Sequence, residues 1–187
     1  MAAYAKSVTI GDNLGAIINK ASAEKICNYI TQAEKMGAKI LCDGRNPVIK
    51  DPALKNGNWV GPTLIDNTTL AMPAVTEEIF GPVLPILHVK SLEEAMEIEN
   101  ANPYGNACSV FTTNGASADY VMSRAEAGMC GVNVGVPVPR EPFAFGGWHQ
   151  SKFGNGDITG DSAMNFWTQD KKITVKWTEP GQRNWMS

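Results

Sequence analysis

Glu77 and Glu78 stand side by side, directly before Ile79-Phe80-Gly81-Pro82. An ionised carboxylate has two acceptor oxygens and can take charge-assisted hydrogen bonds. On this dipeptide alone the plainer reading is a pair of solvated acids before a Gly-Pro turn. A second cluster is Phe145-Gly146-Gly147, with Phe143 nearby. Phe145 stands beside two glycines that allow positive φ and close backbone approach. Ordinary core packing is the reading preferred for Phe143. Asn133 follows a strand-like run, where its amide can fix a loop by side-chain-to-backbone bonds; no catalysis is assigned to it.

Nucleophilic chemistry would need an activated thiol. The four cysteines are Cys27, Cys42, Cys108 and Cys130, none in a C-x-x-C pair, and the histidines are His88 and His149. Zinc ligands cluster at closer spacing, so no metal site is expected. Nothing around the cysteines suggests a neighbouring base or a helix N-terminus that would lower a thiol pKa. They read as small buried hydrophobes. A disulfide framework is not expected either.

The elements that would position these residues alternate. Ser22 to Met36 predicts an amphipathic helix, with Ile26, Tyr29, Ile30 and Ala33 on one face and Gly37 as C-cap. Lys39 to Cys42 predicts a strand, and 45–58 a polar surface excursion. Trp59 to Ile65 reads as extended. Val83 to Val89 reads as a strand in which Pro85 argues for an edge. Ser91 and Glu94 form a capping box for a helix to about Asn100. Cys108 to Thr112 is a strand, Ala116 to Ala127 a helix ended by Gly128, and Gly131 to Val134 a strand. From Gly135 to Gly160, three prolines and then five glycines predict an irregular segment of the length that usually carries function. Ile173-Thr174-Val175-Lys176-Trp177 alternates with period two, as a strand with one apolar face does. Alternating helices and strands predict an α/β fold with a largely parallel sheet flanked by helices.

The 187 residues suit one domain, and 43% hydrophobic content is enough for a packed core. A net charge of −3 lacks the basic footprint of a nucleic-acid binder. No apolar run approaches the ~20 residues of a membrane span, and the N-terminus lacks the apolar core of a signal peptide. A cytoplasmic or similarly reducing location is the default.

Six motifs in order along the chain carry a resemblance. Gly57-Asn58-Trp59-Val60-Gly61-Pro62-Thr63 resembles the G-x-x-x-x-P-T element of aldehyde dehydrogenases, and Glu77 to Pro82 resembles their E-E-I-F-G-P signature. Asn102-Pro103-Tyr104-Gly105 before Val110-Phe111-Thr112, then Gly128 with Gly131-Val132-Asn133, resemble two further elements. Phe145-Gly146-Gly147 and the stretch from Phe166 to Thr174 resemble P-F-G-G and the Y-T-x-x-K-T-V tail. Asn58 to Thr63, Asn102 to Asn106, Gly131 to Pro139 and Ser151-Lys152-Phe153-Gly154 look most like methylmalonate-semialdehyde dehydrogenases. Gly11 to Ile18 departs from the family by being shorter than its usual link before the first helix.

The resemblance implies a C-terminal segment of the catalytic domain over residues 1–165 and an oligomerisation tail over 166–187. It assigns Glu78 to the nicotinamide ribose hydroxyls of NAD, Phe80 to packing near the nicotinamide, and Phe145 to the aldehyde pocket. The family's nucleophilic cysteine and its dinucleotide-binding unit are expected upstream of these residues, so the isolated chain is expected to be inactive. The implied parent oxidises a semialdehyde and passes the acyl group to coenzyme A. Lys172 to Trp177 would join a sheet of a neighbouring subunit in a homo-oligomer, since an unpaired apolar edge invites aggregation. Two alternatives stand beside this: a non-catalytic assembly module that retains the fold, and another semialdehyde dehydrogenase subfamily.

Overall fold

The structure, a computed structural model, describes residues 1–154 and 156–177. It divides into two compact units, Met1–Ser91 and a second from Leu92 onward, rather than the single domain expected from length.

In the first unit, α1 (Ala2–Ser7) precedes α2 (Lys20–Lys35). The Asn19 side chain caps α2 by accepting from the Ser22 N–H at 2.7 Å, so the helix starts earlier than Ser22. Gly37, at φ +95°, turns the chain out of it. Three strands follow: β1 (Lys39–Cys42), β2 (Thr63–Asp66) and β3 (Val83–Pro85), with the short helix α3 (Pro73–Thr76) between β2 and β3. β2 is central, antiparallel to β1 and parallel to β3. Pro85 therefore lies on an edge strand, where a residue without an N–H costs no ladder bond. The core joins Ile26, Tyr29, Ile30 and Ala33 of α2 to Val60, Ile65, Met72 and Ala74. The 45–58 excursion is tied down by Arg45, which pairs with Asp43 and Glu34, and by the Trp59 indole N–H donating to the Leu54 carbonyl at 2.7 Å.

The second unit contains α4 (Leu92–Asn100), β4 (Tyr104–Gly105), β5 (Ala107–Val110), α5 (Gly115–Met122), β6 (Met129–Val132), β7 (Trp148–His149) and α6 (Ala163–Trp167). β5 and β6 pair in parallel, β4 and β7 antiparallel. Met96, Val121 and Ala125 form its buried cluster.

The α/β class holds, but the largely parallel sheet does not: among the described residues two strand pairings are parallel and two antiparallel, spread over three small sheets. The helix expected to reach Ala127 stops at Met122. There Asn100, at the end of α4, donates from Nδ2 to the Arg124 carbonyl and accepts the Glu126 N–H, both at 2.9 Å. Those bonds hold 124–126 in a non-helical path. The alternating run from Lys172 to Trp177 forms no strand, and Ile173, Val175 and Trp177 are exposed. A strand needs a hydrogen-bonded neighbour, and among the described residues none pairs with it. The part of the expected tail from 178 to 187 lies outside the described residues.

Ile65 is fully buried and Ile18 is exposed. Ile65→Ala should cost roughly 2–5 kcal/mol of stability by cavity formation, and Ile18→Ala less than about 0.5 kcal/mol. Urea unfolding of the two variants checks this.

Candidate functional site

The 77–82 segment leaves α3 as extended backbone at Glu77. The buried Tyr29 of α2 donates its hydroxyl proton to Glu77 Oε2, across 48 residues of sequence. This bond raises the Tyr29 pKa, because deprotonation would set two negative oxygens against each other. Ile79 packs onto the core. Gly81 lies so close to α2 that an added Cβ would come within 2.6 Å of Ile26 Cδ1, so a larger residue there would force the Ile26 side chain to shift. The Pro82 carbonyl then accepts the Thr63 N–H at 2.8 Å.

Between these anchors the loop displays Glu78 and Phe80, both exposed; Phe80 is 82% accessible. Phe80 also sits at φ +55°, a left-handed conformation costing a non-glycine residue on the order of 1 kcal/mol. A large apolar ring held outward by a strained backbone is stabilised by nothing it touches in its own unit. Two residues apart on a pinned loop, Glu78 and Phe80 offer a ligand a carboxylate acceptor and an aromatic face. Both acids are exposed; Glu77 is the one tied to α2 through Tyr29.

Phe145 belongs to the second unit. Its N–H donates to Thr159 Oγ1 at 2.9 Å, and its ring lines a cavity of about 230 Å³ with Phe153, Ile158 and Phe166. The Lys152–Asp157 ion pair, at 2.9 Å, lies on the same wall. Gly146 and Gly147 serve close approach rather than positive φ: a Cβ on Gly147 would meet Ser151 and the Asn106 backbone, and a Cβ on Gly128 would collide with the Gly146 carbonyl. Phe143 corrects the core-packing expectation, being 71% exposed. Asn133 does what its type suggests. At φ +57° its side chain accepts the Thr112 N–H at 2.9 Å and donates to the Thr112 carbonyl at 3.0 Å. It thereby fixes the exit of β6 into the irregular 135–160 segment.

The cysteines are less buried than expected: Cys27, Cys42 and Cys108 are half-buried and Cys130 is exposed. None shows an activated thiol. Burial raises the Cys27 pKa against the opposing charge of Arg45. Cys108 is pushed up to about 12, first by burial and then by the charge of Glu99, and Cys130 is raised by the same two causes. Tyr29, the Lys152–Asp157 pair and the Asn100 clamp were not legible as site-building residues. Tyr29 announces itself as a core position of a helix, and its partner is far along the chain.

A pinned loop presenting a carboxylate and an aromatic, within a chain carrying six ordered motifs, defines the class: the chain belongs to the aldehyde dehydrogenase family, whose profile matches residues 1–173. Among its relatives, the mouse mitochondrial methylmalonate-semialdehyde/malonate-semialdehyde dehydrogenase (acylating) is 45% identical over 169 residues, covering 90% of this chain and 31% of the mouse protein. The malonate-semialdehyde dehydrogenase of Halalkalibacterium halodurans is 40% identical over 176 residues, covering 91% and 36%. The crystal structure of methylmalonate-semialdehyde dehydrogenase from Oceanimonas doudoroffii superposes with a TM-score of 0.87 at 38% identity, over 98% of this chain and 38% of that one. An NAD+ complex of a Bacillus cereus aldehyde dehydrogenase superposes with a TM-score of 0.78 at 31% identity, covering 90% and 34%. The chain thus spans about a third of the length of these relatives.

Phe80→Gly should remove the left-handed strain and raise stability by about 0.5–1 kcal/mol. Tyr29→Phe should lower it by about 1.5 kcal/mol or more, through loss of a bond to a charged acceptor. Denaturant midpoints of both variants against the parent chain test the pinned-loop geometry.

Proposed function

We propose that this chain forms the cofactor-facing third of a methylmalonate- or malonate-semialdehyde dehydrogenase that uses NAD and transfers the acyl group to coenzyme A. The observation that carries the reading is the 45% identity to a relative of that name over 90% of the chain. The word "acylating" in that relative's name supports coenzyme A as acceptor.

When bound, NAD supplies the hydride acceptor for aldehyde oxidation. Glu78 accepts hydrogen bonds from the nicotinamide ribose hydroxyls, and the Phe80 ring restricts the nicotinamide. Positioning of this kind contributes rate because the reacting atoms must be held in line. Tyr29, Ile79 and Gly81 act through the loop and hold both side chains in place. Phe145 contributes an apolar wall to the aldehyde pocket. The nucleophile is not one of Cys27, Cys42, Cys108 or Cys130, so the chain by itself oxidises no aldehyde. The exposed Ile173, Val175 and Trp177 support pairing of Lys172 to Trp177 with a sheet of a neighbouring subunit. A reducing compartment, the cytoplasm included, suits the four free thiols.

The test is a chimera in which this chain replaces the matching third of the Oceanimonas doudoroffii enzyme. Glu78→Gln in it should raise the KM for NAD roughly tenfold to a hundredfold, the worth of hydrogen bonds to a charged acceptor. Acyl transfer should require coenzyme A. An unchanged KM would remove Glu78 from the cofactor site. NADH formation by the purified chain alone, with malonate semialdehyde and NAD, would overturn the assignment of the nucleophile to other polypeptide.

A further inference from the structure

Within the second unit, two cysteines that the proposed reaction does not use face each other. Cys108 of β5 and Cys130 of β6 are register partners in a parallel pair. Neighbouring strands run about 4.8 Å apart, and register partners project to the same face of the sheet. The Cα separation of such a pair falls in the ~4.4–6.8 Å range that a disulfide spans. The two thiols are also unequal. Cys108 is half-buried and packs against the cluster around Met96 and Val121, whereas Cys130 is exposed, with its thiol directed to the Ala127 carbonyl at 3.5 Å.

A third group completes the arrangement. Glu99 of α4 lies near enough for its charge to raise the pKa of both the Cys108 and the Cys130 thiol. Its buried Oε2 has no hydrogen-bond partner among the described residues. A carboxylate with an unpartnered oxygen beside a thiol is a ready proton acceptor. Burial raises the Glu99 pKa, which brings its proton affinity closer to that of a thiol.

We propose that Cys108 and Cys130 form a redox site, in which a small-molecule disulfide such as oxidised glutathione converts the dithiol to a β5–β6 cross-strand disulfide. In the first step the exposed Cys130 sulfur attacks one sulfur of the small disulfide. A Cys130–glutathione bond forms, the glutathione S–S bond breaks, and one glutathione leaves carrying the proton from Cys130. In the second step the Cys108 sulfur attacks Cys130 Sγ and gives its proton to Glu99. The mixed disulfide breaks, and the second glutathione leaves as thiolate and takes up that proton. Two electrons pass from the protein thiols to the small disulfide, whose two halves are released as thiols.

Cys130 is exposed, and exposed disulfides are the readily reduced ones. The site is therefore reversible rather than structural. Its product ties β5 to β6 directly before Asn133, where the chain enters the segment that carries Phe145.

The experiment treats the purified, reduced full chain with oxidised glutathione, then maps its peptides by mass spectrometry without reductant. The expected product is a peptide pair joined through Cys108 and Cys130, restored to free thiols by dithiothreitol. Cys108→Ser should stall with glutathione on Cys130, and Glu99→Gln should slow closure of the mixed disulfide at least about tenfold. Glutathione retained on both cysteines of the parent chain, a cross-link through Cys27 or Cys42, or no reaction at Cys130 would each overturn the proposal. The parent-chain map decides the outcome even where a variant does not fold.

Discussion

The Tyr29–Glu77 hydrogen bond is the contact on which the candidate cofactor site depends. It joins the buried face of α2 to the first residue of the 77–82 loop, and the other anchors repeat its direction. Ile79 enters the core, and Gly81 lies against the Ile26 side chain, which a Cβ would displace. Ile79 and Gly81 are partly buried, while Glu78 and Phe80 face solvent. The phenol is suited to this: its ring fills core volume while its hydroxyl satisfies a carboxylate that would otherwise be partly desolvated. Phe80, at positive φ, bears the strain that the anchoring imposes.

In the second unit, asparagine amides do comparable work on the backbone. Asn100 takes hold of the 124–126 path, Asn114 caps α5 through the N–H groups of Ala116 and Ser117, and Asn133 clips Thr112. Each amide offers a donor and an acceptor on a short stem, so it can pair with an N–H and a carbonyl that no regular ladder satisfies. The result is a defined path for a region with little regular structure. Lys152 and Asp157 add an ion pair beside the apolar cavity that Phe145 lines.

The thiols divide by surroundings rather than by sequence context. Burial and nearby carboxylate charge hold Cys108 and Cys130 protonated, the reverse of what a catalytic nucleophile needs. Aldehyde chemistry at a cysteine would call for a lowered pKa, and none of the shifts here runs that way. The same carboxylate, Glu99, is what makes slow thiol–disulfide exchange at this pair chemically sensible.

Local pattern alone sufficed for several elements. The 3.6-residue spacing of Ile26, Tyr29, Ile30 and Ala33 marked the buried face of α2, and the Lys39-Ile40-Leu41-Cys42 run marked β1 at its observed limits. The motif from Glu77 to Pro82 marked the family. Both kinds of signal lie in a few adjacent residues, because helix and strand periodicity and turn chemistry act over that range. Tertiary structure decided what depends on distant partners. It chose Glu77 over Glu78 as the anchor, ended α5 at Met122, exposed Phe143, divided the strands among three small sheets and left 172–177 without a ladder. In each case the deciding group lies far along the chain or is not among the described residues, and a carboxylate, a helix end or a strand edge takes its role from whichever partner packing brings to it.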